Sequence, residues 1–217
     1  SDAYEILDKW NVGSAVSMRD MFKGSDFKGD LTQWDVSKVR DFSGMFENVK
    51  GLSCDLSTWN TKNMTRIDRM FKGTGFSGDL GNWNTSNLVS ANSAFESVGD
   101  VSGLERWDIT CVRNMDRMFN ETSISNMDNL LLSWVKQKID YTPNFDLGNS
   151  PYPATARPAK LAMTSMGWNI SGTYTEPMTA NMIGDPYITP ISGEVYKMPD
   201  VECSYRLYQS KNGSING

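Results

Sequence analysis

A motif of 24 or 25 residues recurs five times along the first two thirds of the chain. Each copy has a leucine, a tryptophan three residues later and, eleven residues after the tryptophan, a Met-Phe pair; the fourth copy has Ala-Phe. The tryptophans are Trp10, Trp34, Trp59, Trp83 and Trp107. Matches at so many positions indicate a repeat architecture, and this period lies within the ~20–29 residues of leucine-rich repeats.

One copy of the motif cannot fold alone. It carries too few apolar side chains to offset the conformational entropy lost when about 24 residues become ordered. Neighbouring copies must therefore stack and share one core, with hydrogen bonds between equivalent segments. Because the motif fixes which side chains point inward, we expect all five tryptophans to lie in that core.

The second copy illustrates the expected local structure. Trp34 and Val36 alternate with polar residues, which predicts a short parallel strand with both side chains inward. Ser37 then suits a helix N-cap. The apolar residues that follow have the spacing of a two-turn helix with one apolar stripe: Val39, Phe42, Met45 and Phe46. A glycine-rich segment such as GSDFKGDL, residues 24–31, predicts a tight return turn.

The sequence therefore predicts an α/β fold: a leucine-rich-repeat-like solenoid of short parallel strands and short helices, plus a small β-rich C-terminal extension. We assign residues 1–140 to five coils, 141–175 to a C-terminal cap and 176–217 to the extension. The apolar spacing from Met127 to Val135 predicts a helix that begins to close the core. Runs at 187–188 and 195–196 predict hairpin strands. The Ser1 start favours a processed product or a fragment of a longer protein, and the linker-like end favours a parent protein that continues beyond Gly217.

Composition excludes several classes of protein. The net charge of −5 argues against a nucleic-acid partner, whose phosphates require a basic surface. The absence of histidine removes Ser-His triads and most zinc sites. No run of about 18 apolar residues predicts a membrane span. The cysteines Cys54, Cys111 and Cys203 do not recur with the repeat, so we expect buried thiols, with no disulfide framework, metal or cofactor.

An acidic column precedes the tryptophans by four residues: Asp30, Asp55 and Asp79. Stacked carboxylates can hold Ca²⁺. We favour the alternative, in which each carboxylate accepts hydrogen bonds from the backbone of its own turn and the protein needs no cation. The segment GTGFSG at 73–78 matches a dinucleotide fingerprint but follows a predicted helix, so we interpret it as the return turn.

A second polar column follows each tryptophan and points outward if the tryptophan points inward. It is either a solvated face or the floor of a binding surface, on what we expect to be the outer face of the sheet. The candidate partner-binding residues there are Asp35, Asn60, Lys62, Asn84, Ser86 and Asp108. This face has few aromatic anchors, so we expect weak, multivalent attachment. Tyr187 and Tyr196 in the extension are candidates for a tighter contact.

The pattern L-x-x-W-[DN]-[VT]-[ST]-x-V-x-x-[MF]-x-x-M-F, from Leu7 to Trp134, resembles the BspA-like leucine-rich repeat family of bacterial surface proteins and mycoplasma lipoproteins. Residues 145–172 resemble the segment that closes such arrays, with a strand, a helix and then Gly-Trp-x-Ile; Pro158 would interrupt or restart that helix. The motif G-D-P-x-I…G-x-x-Y-x-x-P, at 184–199, looks like a segment of structural proteins of large DNA viruses.

The resemblance implies a non-catalytic module. We expect a structural or adhesive component of a cell surface or virus particle, extracellular or in the virion, that acts through protein–protein contacts, with glycans as another candidate ligand. One alternative is an intracellular protein-interaction scaffold. The rival from another class is a glycan-active enzyme, since paired carboxylates suffice for that chemistry without histidine.

Overall fold

A computed structural model describes residues 7–148, 152 and 154–172, together with the backbone of 187–188 and 196–197. These residues form a mixed α/β fold with short helices and short parallel strands. The five motif copies, here called repeats 1 to 5, begin at Leu7, Leu31, Leu56, Leu80 and Leu104. Successive repeats lie side by side in chain order, and we call this arrangement the stack.

One backbone position in each repeat forms a parallel β-bridge with the neighbouring repeats. It lies seven residues after the tryptophan, at Ser17, Asp41, Arg66, Ser90 and Asn114. From this position onward, alternate N–H groups of one repeat donate to carbonyls of the next. Between repeats 1 and 2 these bonds run from Met18 to Asp41, Asp20 to Ser43, Phe22 to Met45 and Gly24 to Glu47, at 2.7–2.9 Å. The chain is thus in register at intervals of 24 or 25 residues.

These hydrogen bonds all point the same way. The intervening N–H groups turn back to their own repeat, as those of Met21 and Lys23 do to the carbonyls of Met18 and Asp20. In a regular β-ladder the peptide dipoles alternate and largely cancel. Here the bonds that follow the bridge position all run from an N–H of one repeat to a carbonyl of the next, so their dipoles add; at and just before the bridge position, Arg66 and Arg40 donate in the opposite direction, to Arg40 and Val16.

Left-handed residues make this geometry possible. The residues ten and fourteen positions after each tryptophan have φ between 52° and 68° in every repeat. Only three of these ten residues are glycine, namely Gly24, Gly44 and Gly73. At the others, a side chain accepts a conformation that costs about 1–2 kcal/mol. In repeats 1 to 4 the N–H of each left-handed residue donates to a carbonyl of the next repeat.

The helix predicted after Ser37 is therefore wrong. Residues 38–48 form a bridge and turns, because a left-handed residue at Gly44 breaks the run of right-handed residues that a helix needs. The predicted apolar stripe is nevertheless fully buried. The strand predicted at Trp34 and Val36 is also wrong, although both side chains point inward; the parallel pairing occurs later, at Asp41.

Two-residue strands join the return turns of repeats 3 and 4. Strand β1 (Gly78–Asp79) pairs in parallel with β2 (Val101–Ser102). Single 3-10 turns occur at Leu7–Lys9 and Leu104–Arg106. Regular helices are absent from the described part of the five repeats and begin only after repeat 5.

Aromatic columns fill the core of the stack. Trp59 and Trp83 stack with ring centroids 6.3 Å apart, and so do Trp83 and Trp107. Each indole N–H from repeat 2 onward donates to the carbonyl of the leucine that begins the preceding repeat, for example Trp59 to Leu31 at 3.0 Å. Trp10 is the exception to the prediction: its side chain is 50% exposed, because no described repeat precedes it.

The C-terminal part of the described chain closes the far end of the stack. It comprises α1 (Met127–Trp134), β3 (Asn144–Asp146), α2 (Arg157–Ser165) and β4 (Asn169–Ser171), with β3 and β4 paired in parallel. The helix predicted from Met127 is confirmed. Pro158 lies in the first turn of α2, where its missing N–H costs nothing, so the helix starts there.

In the predicted extension, β5 (Tyr187–Ile188) pairs in antiparallel fashion with β6 (Tyr196–Lys197), as the alternating runs predicted. The side chains of these residues lie outside the described part of the chain, as does Cys203. The Cys54 thiol is half-buried, whereas Cys111 is exposed, contrary to the expectation of buried thiols. None of the described helices is long and apolar enough to cross a membrane.

Candidate interaction surface

A column of polar turns runs along the outside of the stack. In each repeat the Asn or Asp that follows the tryptophan accepts a hydrogen bond from the N–H two residues later, at 2.9–3.4 Å; we call these residues the Asx column. The column comprises Asn11, Asp35, Asn60, Asn84 and Asp108. Asp108 is half-buried and the other four are exposed. The predicted outward orientation is thus confirmed, and each side chain also stabilises its own turn.

The Asx column does not lie on the outer face of a sheet, as the sequence suggested. The β-bridges occur six residues further along each repeat, so the column follows turns instead. The other two predicted contact residues, Lys62 and Ser86, are exposed beside it. The Ser86 hydroxyl donates to Asn84 at 2.7 Å. Asn63 and Asn87 donate to carbonyls of the preceding repeat, which fixes the spacing between turns.

The turn hydrogen bonds of the Asx column also affect the pKa of its carboxylates, as Asp35 shows. Hydrogen bonds from the Ser37 side chain and backbone N–H lower the pKa of Asp35 below its usual value. The six predicted residues therefore form a polar surface of mixed charge that repeats at a fixed interval. The remaining two predicted residues, Tyr187 and Tyr196, lie in β5 and β6, and their contact role stays a prediction.

The acidic column before the tryptophans has the predicted turn geometry. Asp30, Asp55 and Asp79 accept the N–H two residues later at 2.7–2.9 Å. The backbone N–H of Ser57 lowers the pKa of Asp55, and that of Gly81, with Arg106, lowers the pKa of Asp79. Among the described residues, no three acidic or cysteine side chains are grouped closely enough to hold a metal ion. Whether the protein needs a cation stays a prediction.

A set of ion pairs between repeats was missed by the sequence reasoning. The Glu47 carboxylate is buried between Lys23 of repeat 1, at 2.9 Å, and Arg69 of repeat 3, at 3.2 Å. Glu96 occupies the same place two repeats later, between Lys72 at 3.1 Å and Arg117 at 2.6 Å. Alternating Lys and Glu thirteen residues after the tryptophan in repeats 1 to 4 was the available signal.

Both carboxylates are ionised, and the neighbouring lysine and arginine side chains balance their charge. Burial alone would raise the pKa of Glu47, but the hydrogen bonds and charges of Lys23 and Arg69 outweigh it and lower that pKa. At Glu96, burial alone would again raise the pKa, but the hydrogen bonds from Ser93 and Lys72 outweigh it and the pKa is lowered. Groups held ionised in this way do not donate protons at neutral pH. Their role in the stack is to join neighbouring repeats.

A second, smaller polar cluster connects repeats 3 to 5. Asp68 is buried and receives hydrogen bonds from Arg66, from the Ser90 hydroxyl and from the N–H of Asn92, the last at 3.0 Å. The Asn92 side chain then donates to the carbonyl of Asp116 at 3.2 Å. Together with the ion pairs, this cluster holds the repeats in register.

Comparison with known proteins gives one match. The chain matches the family described as "Mycoplasma protein of unknown function, DUF285" over residues 1–104 and 76–146. A search of curated proteins and a search of solved structures found no match. The two matched ranges overlap and together cover 146 of the 217 residues, including all five repeats and α1. The chain therefore belongs to the mycoplasma protein family DUF285, whose function is unknown.

Proposed function

We propose that this chain is a non-catalytic, BspA-like leucine-rich-repeat solenoid that acts through protein–protein contacts as a structural or adhesive component of a cell surface or virus particle. The observation that carries the proposal is the Asx column. It presents equivalent polar groups at a near-constant step along neighbouring repeats, and these groups are exposed in repeats 1 to 4. A surface with such a period suits an extended or repetitive partner.

Each contact on this surface is weak. Its side chains are short and polar, whereas binding hot spots are enriched in Trp, Tyr and Arg. Attachment therefore depends on many copies that bind together, and avidity supplies the strength. Lys62 and Ser86 flank the column and are free to contact a partner without loss of an Asx turn. Tyr187 and Tyr196 supply a tighter contact with a neighbouring subunit.

Location is the first test of this proposal. Antibodies against the chain should label intact, unpermeabilised cells or whole particles from its natural source. Label that appears only after permeabilisation would favour an intracellular interaction scaffold and overturn the surface role. Release of reducing sugar from surface glycans by the purified chain would instead favour a glycan-active enzyme.

Residue variants test the surface itself. Lys62→Glu reverses a charge on the column without removal of a turn acceptor, and it should weaken attachment to the native assembly several-fold when many copies bind. Lys138→Glu, an exposed lysine beyond α1, is the matched control and should have no effect. Deletion of residues 173–217 should abolish assembly while the repeats stay folded. Unimpaired assembly after this deletion would move the tight contact onto the repeats.

A further inference from the structure

Four basic side chains lie over two buried carboxylates along one side of the stack. Two of them flank Glu47, with nitrogens 2.9 and 3.2 Å from the same oxygen, Oε2. The other two flank Glu96, at 3.1 and 2.6 Å. Because Glu47 and Glu96 occupy one position of the motif, all four cations line the same side of the stack. We call them the cation strip: Lys23, Arg69, Lys72 and Arg117.

The strip presents its positive groups outward and keeps the paired negative groups inside. Its four side chains are 33–60% exposed, whereas those of Glu47 and Glu96 are 11% and 6% exposed. Arg69 contacts Glu47 through Nε, and its two terminal nitrogens make no hydrogen bond to any described residue. Such a guanidinium can still bind a second anion in bidentate fashion. The strip therefore has the chemistry to bind anions, although the chain as a whole has a net charge of −5.

The strip has two positive centres rather than an even row of charge. Glu47 belongs to repeat 2 and Glu96 to repeat 4, and two cations gather around each. Repeats joined by parallel β-bridges lie about 4.8 Å apart, so the two centres are about 10 Å apart. An extended polysaccharide in which acidic and uncharged sugars alternate carries its anions at nearly this interval, once per disaccharide. Each anion would then meet one lysine and one arginine.

Other anionic partners fit the strip less well. A DNA duplex carries a negative charge about every 1.7 Å along its axis, a density that two separated centres on an acidic chain do not match. An anionic membrane requires a broad basic face. In the columns beside the strip, Arg19 pairs with Asp41 and Arg66 pairs with Asp68, so these pairs add no net charge. The positive surface is a line along the stack, which suits a single extended polymer.

Acidic groups at both ends limit how strongly the strip attracts anions. The Asp20 carboxylate is 44% exposed and lies 3.9 Å from Lys23. At the other end, Glu121 is exposed and accepts a hydrogen bond from Ser97. Removal of the Asp20 charge should therefore strengthen the binding of an anion. Asparagine suits this position, because it tolerates the left-handed φ of 55° that Asp20 adopts.

We propose that the cation strip binds an acidic polysaccharide that lies along the stack. One carboxylate or sulfate of the polymer lies beside Lys23 and Arg69, and the next lies beside Lys72 and Arg117. The uncharged sugar spans the gap between the two centres. This binding goes beyond the proposed function, because it uses residues outside the Asx column and a partner that is not a protein.

The test uses the full chain labelled with ¹⁵N at arginine. The probe is a hyaluronan octasaccharide, in which glucuronate alternates with N-acetylglucosamine. The Nε signals of Arg69 and Arg117 are identified from their loss in Arg69→Lys and Arg117→Lys. Addition of the octasaccharide should shift these two signals in a dose-dependent manner and leave that of Arg106, which pairs with Asp79, unchanged. The octasaccharide with its carboxyl groups reduced to alcohols should shift none of them.

Variants of the chain locate the binding. Arg117→Gln should weaken the affinity for the octasaccharide about two- to five-fold, as expected for one exposed ion pair. Asp20→Asn should strengthen it about two-fold, because it removes a competing carboxylate. Arg106→Gln is the matched control: Arg106 lies in the same repeat as Arg117, is 50% exposed and pairs with Asp79 at 2.6 Å, so the loss of charge is the same. It should leave the affinity unchanged, and thermal melts check that each variant is folded.

Three outcomes would overturn the proposal. One is the absence of a shift in the Arg69 and Arg117 signals at about 5 mM octasaccharide. Another is an equal loss of affinity in Arg106→Gln and Arg117→Gln, which would show attraction to charge in general rather than to the strip. The third is binding to vesicles of phosphatidylcholine and phosphatidylglycerol in equal parts without binding to the octasaccharide, which would assign the strip to a membrane surface.

Discussion

The two ends of the stack are built from the same motif but differ in what covers them. At the C-terminal end, Trp134 of α1 donates its indole N–H to the Leu104 carbonyl at 2.9 Å. The tryptophans of repeats 2 to 5 make the same bond to the preceding repeat. Phe145 then packs edge-on against Phe119 and Trp168, at 5.7 and 5.8 Å. At the N-terminal end, Trp10 is half exposed.

The difference shows that a side chain is buried in this fold only where a neighbouring repeat covers it, whatever its position in the motif. Trp10 and Trp34 occupy the same place in the motif, yet only Trp34 has a repeat before it. In such a molecule, stability is approximately a sum of terms for each repeat and each interface between repeats. A substitution should therefore cost most where a side chain touches two neighbouring repeats and least at the exposed side chains of repeat 1, such as Trp10 and Met21.

The largest expected effect contrasts two tryptophans. Trp59→Ala should lower the free energy of unfolding by about 3–5 kcal/mol, because it leaves a cavity between Phe46 and Trp83 and removes a hydrogen bond to Leu31. Trp10→Ala should cost less than about 1 kcal/mol. Urea denaturation of both variants measures the difference. Similar losses at the two positions would contradict the neighbour rule.

A second contrast concerns the closing segment. Phe145→Ala should cost about 3 kcal/mol, since Phe145 packs against both repeat 5 and Trp168. Met21→Ala in repeat 1, where the side chain is partly solvated, should cost well under about 3 kcal/mol. In hydrogen exchange, Phe145→Ala should speed exchange in repeats 4 and 5 before repeats 1 and 2. Uniform acceleration across all five repeats would argue for one cooperative unit instead.

The third contrast is electrostatic. Glu96→Gln should cost about 1–2 kcal/mol, because it removes charged hydrogen bonds, while Lys72 and Arg117 are exposed enough to regain water. Asp20→Asn in repeat 1 should change stability by no more than a few tenths of a kcal/mol, because the Asp20 carboxylate is exposed and its pair with Lys23 is long. Thermal or urea unfolding of the two variants at pH 7 provides the comparison. An equal loss from Asp20→Asn would show that its exposed pair with Lys23, at 3.9 Å, stabilises the fold as much as the buried pairs of Glu96 do.

The same carboxylates predict a pH dependence. The pKa values of Glu47 and Glu96 are lowered in the folded protein. Their stabilisation is therefore complete above the unfolded pKa, near 4.5, and is lost as the pH falls through the lower folded values. Stability measured from pH 6 downward should fall below about pH 4.5, and Glu96→Gln should fall less steeply. Parallel curves for the two proteins would contradict this assignment.

The sequence predicted the repeat, its period and nearly all of its inward positions, because periodic burial leaves a direct trace in apolar spacing. It misplaced the local structure. An apolar spacing of three and four residues fits a helix, but the same side chains are buried here by turns with left-handed residues. Arg69, Ser93 and Arg117 adopt that conformation without the glycine that would have revealed it. The N–H groups of Arg69 and Ser93 donate to Asn92 and Asp116, each 23 positions away in sequence.

Only part of the candidate interaction surface could be predicted from the sequence. The Asx column could be found because its residues follow the tryptophans at a fixed distance. The ion pairs at Glu47 and Glu96 were visible only as alternating charge, and their burial depends on the left-handed turns. The exposure of Trp10 had no signal in its own motif, since it depends on what precedes repeat 1.

The smallest expected effect is that of removing metal ions, which should leave the stability of the protein unchanged. The carboxylates of Asp30, Asp55 and Asp79 already accept backbone N–H groups, and Asp79 also binds Arg106 at 2.6 and 2.8 Å. Because these carboxylates already stabilise their turns, and no three acidic or cysteine side chains of the described residues are grouped closely enough to hold an ion, EDTA should change the melting temperature by less than about 1 °C. A larger drop that Ca²⁺ restores, absent in Asp55→Ala, would place a metal on this column.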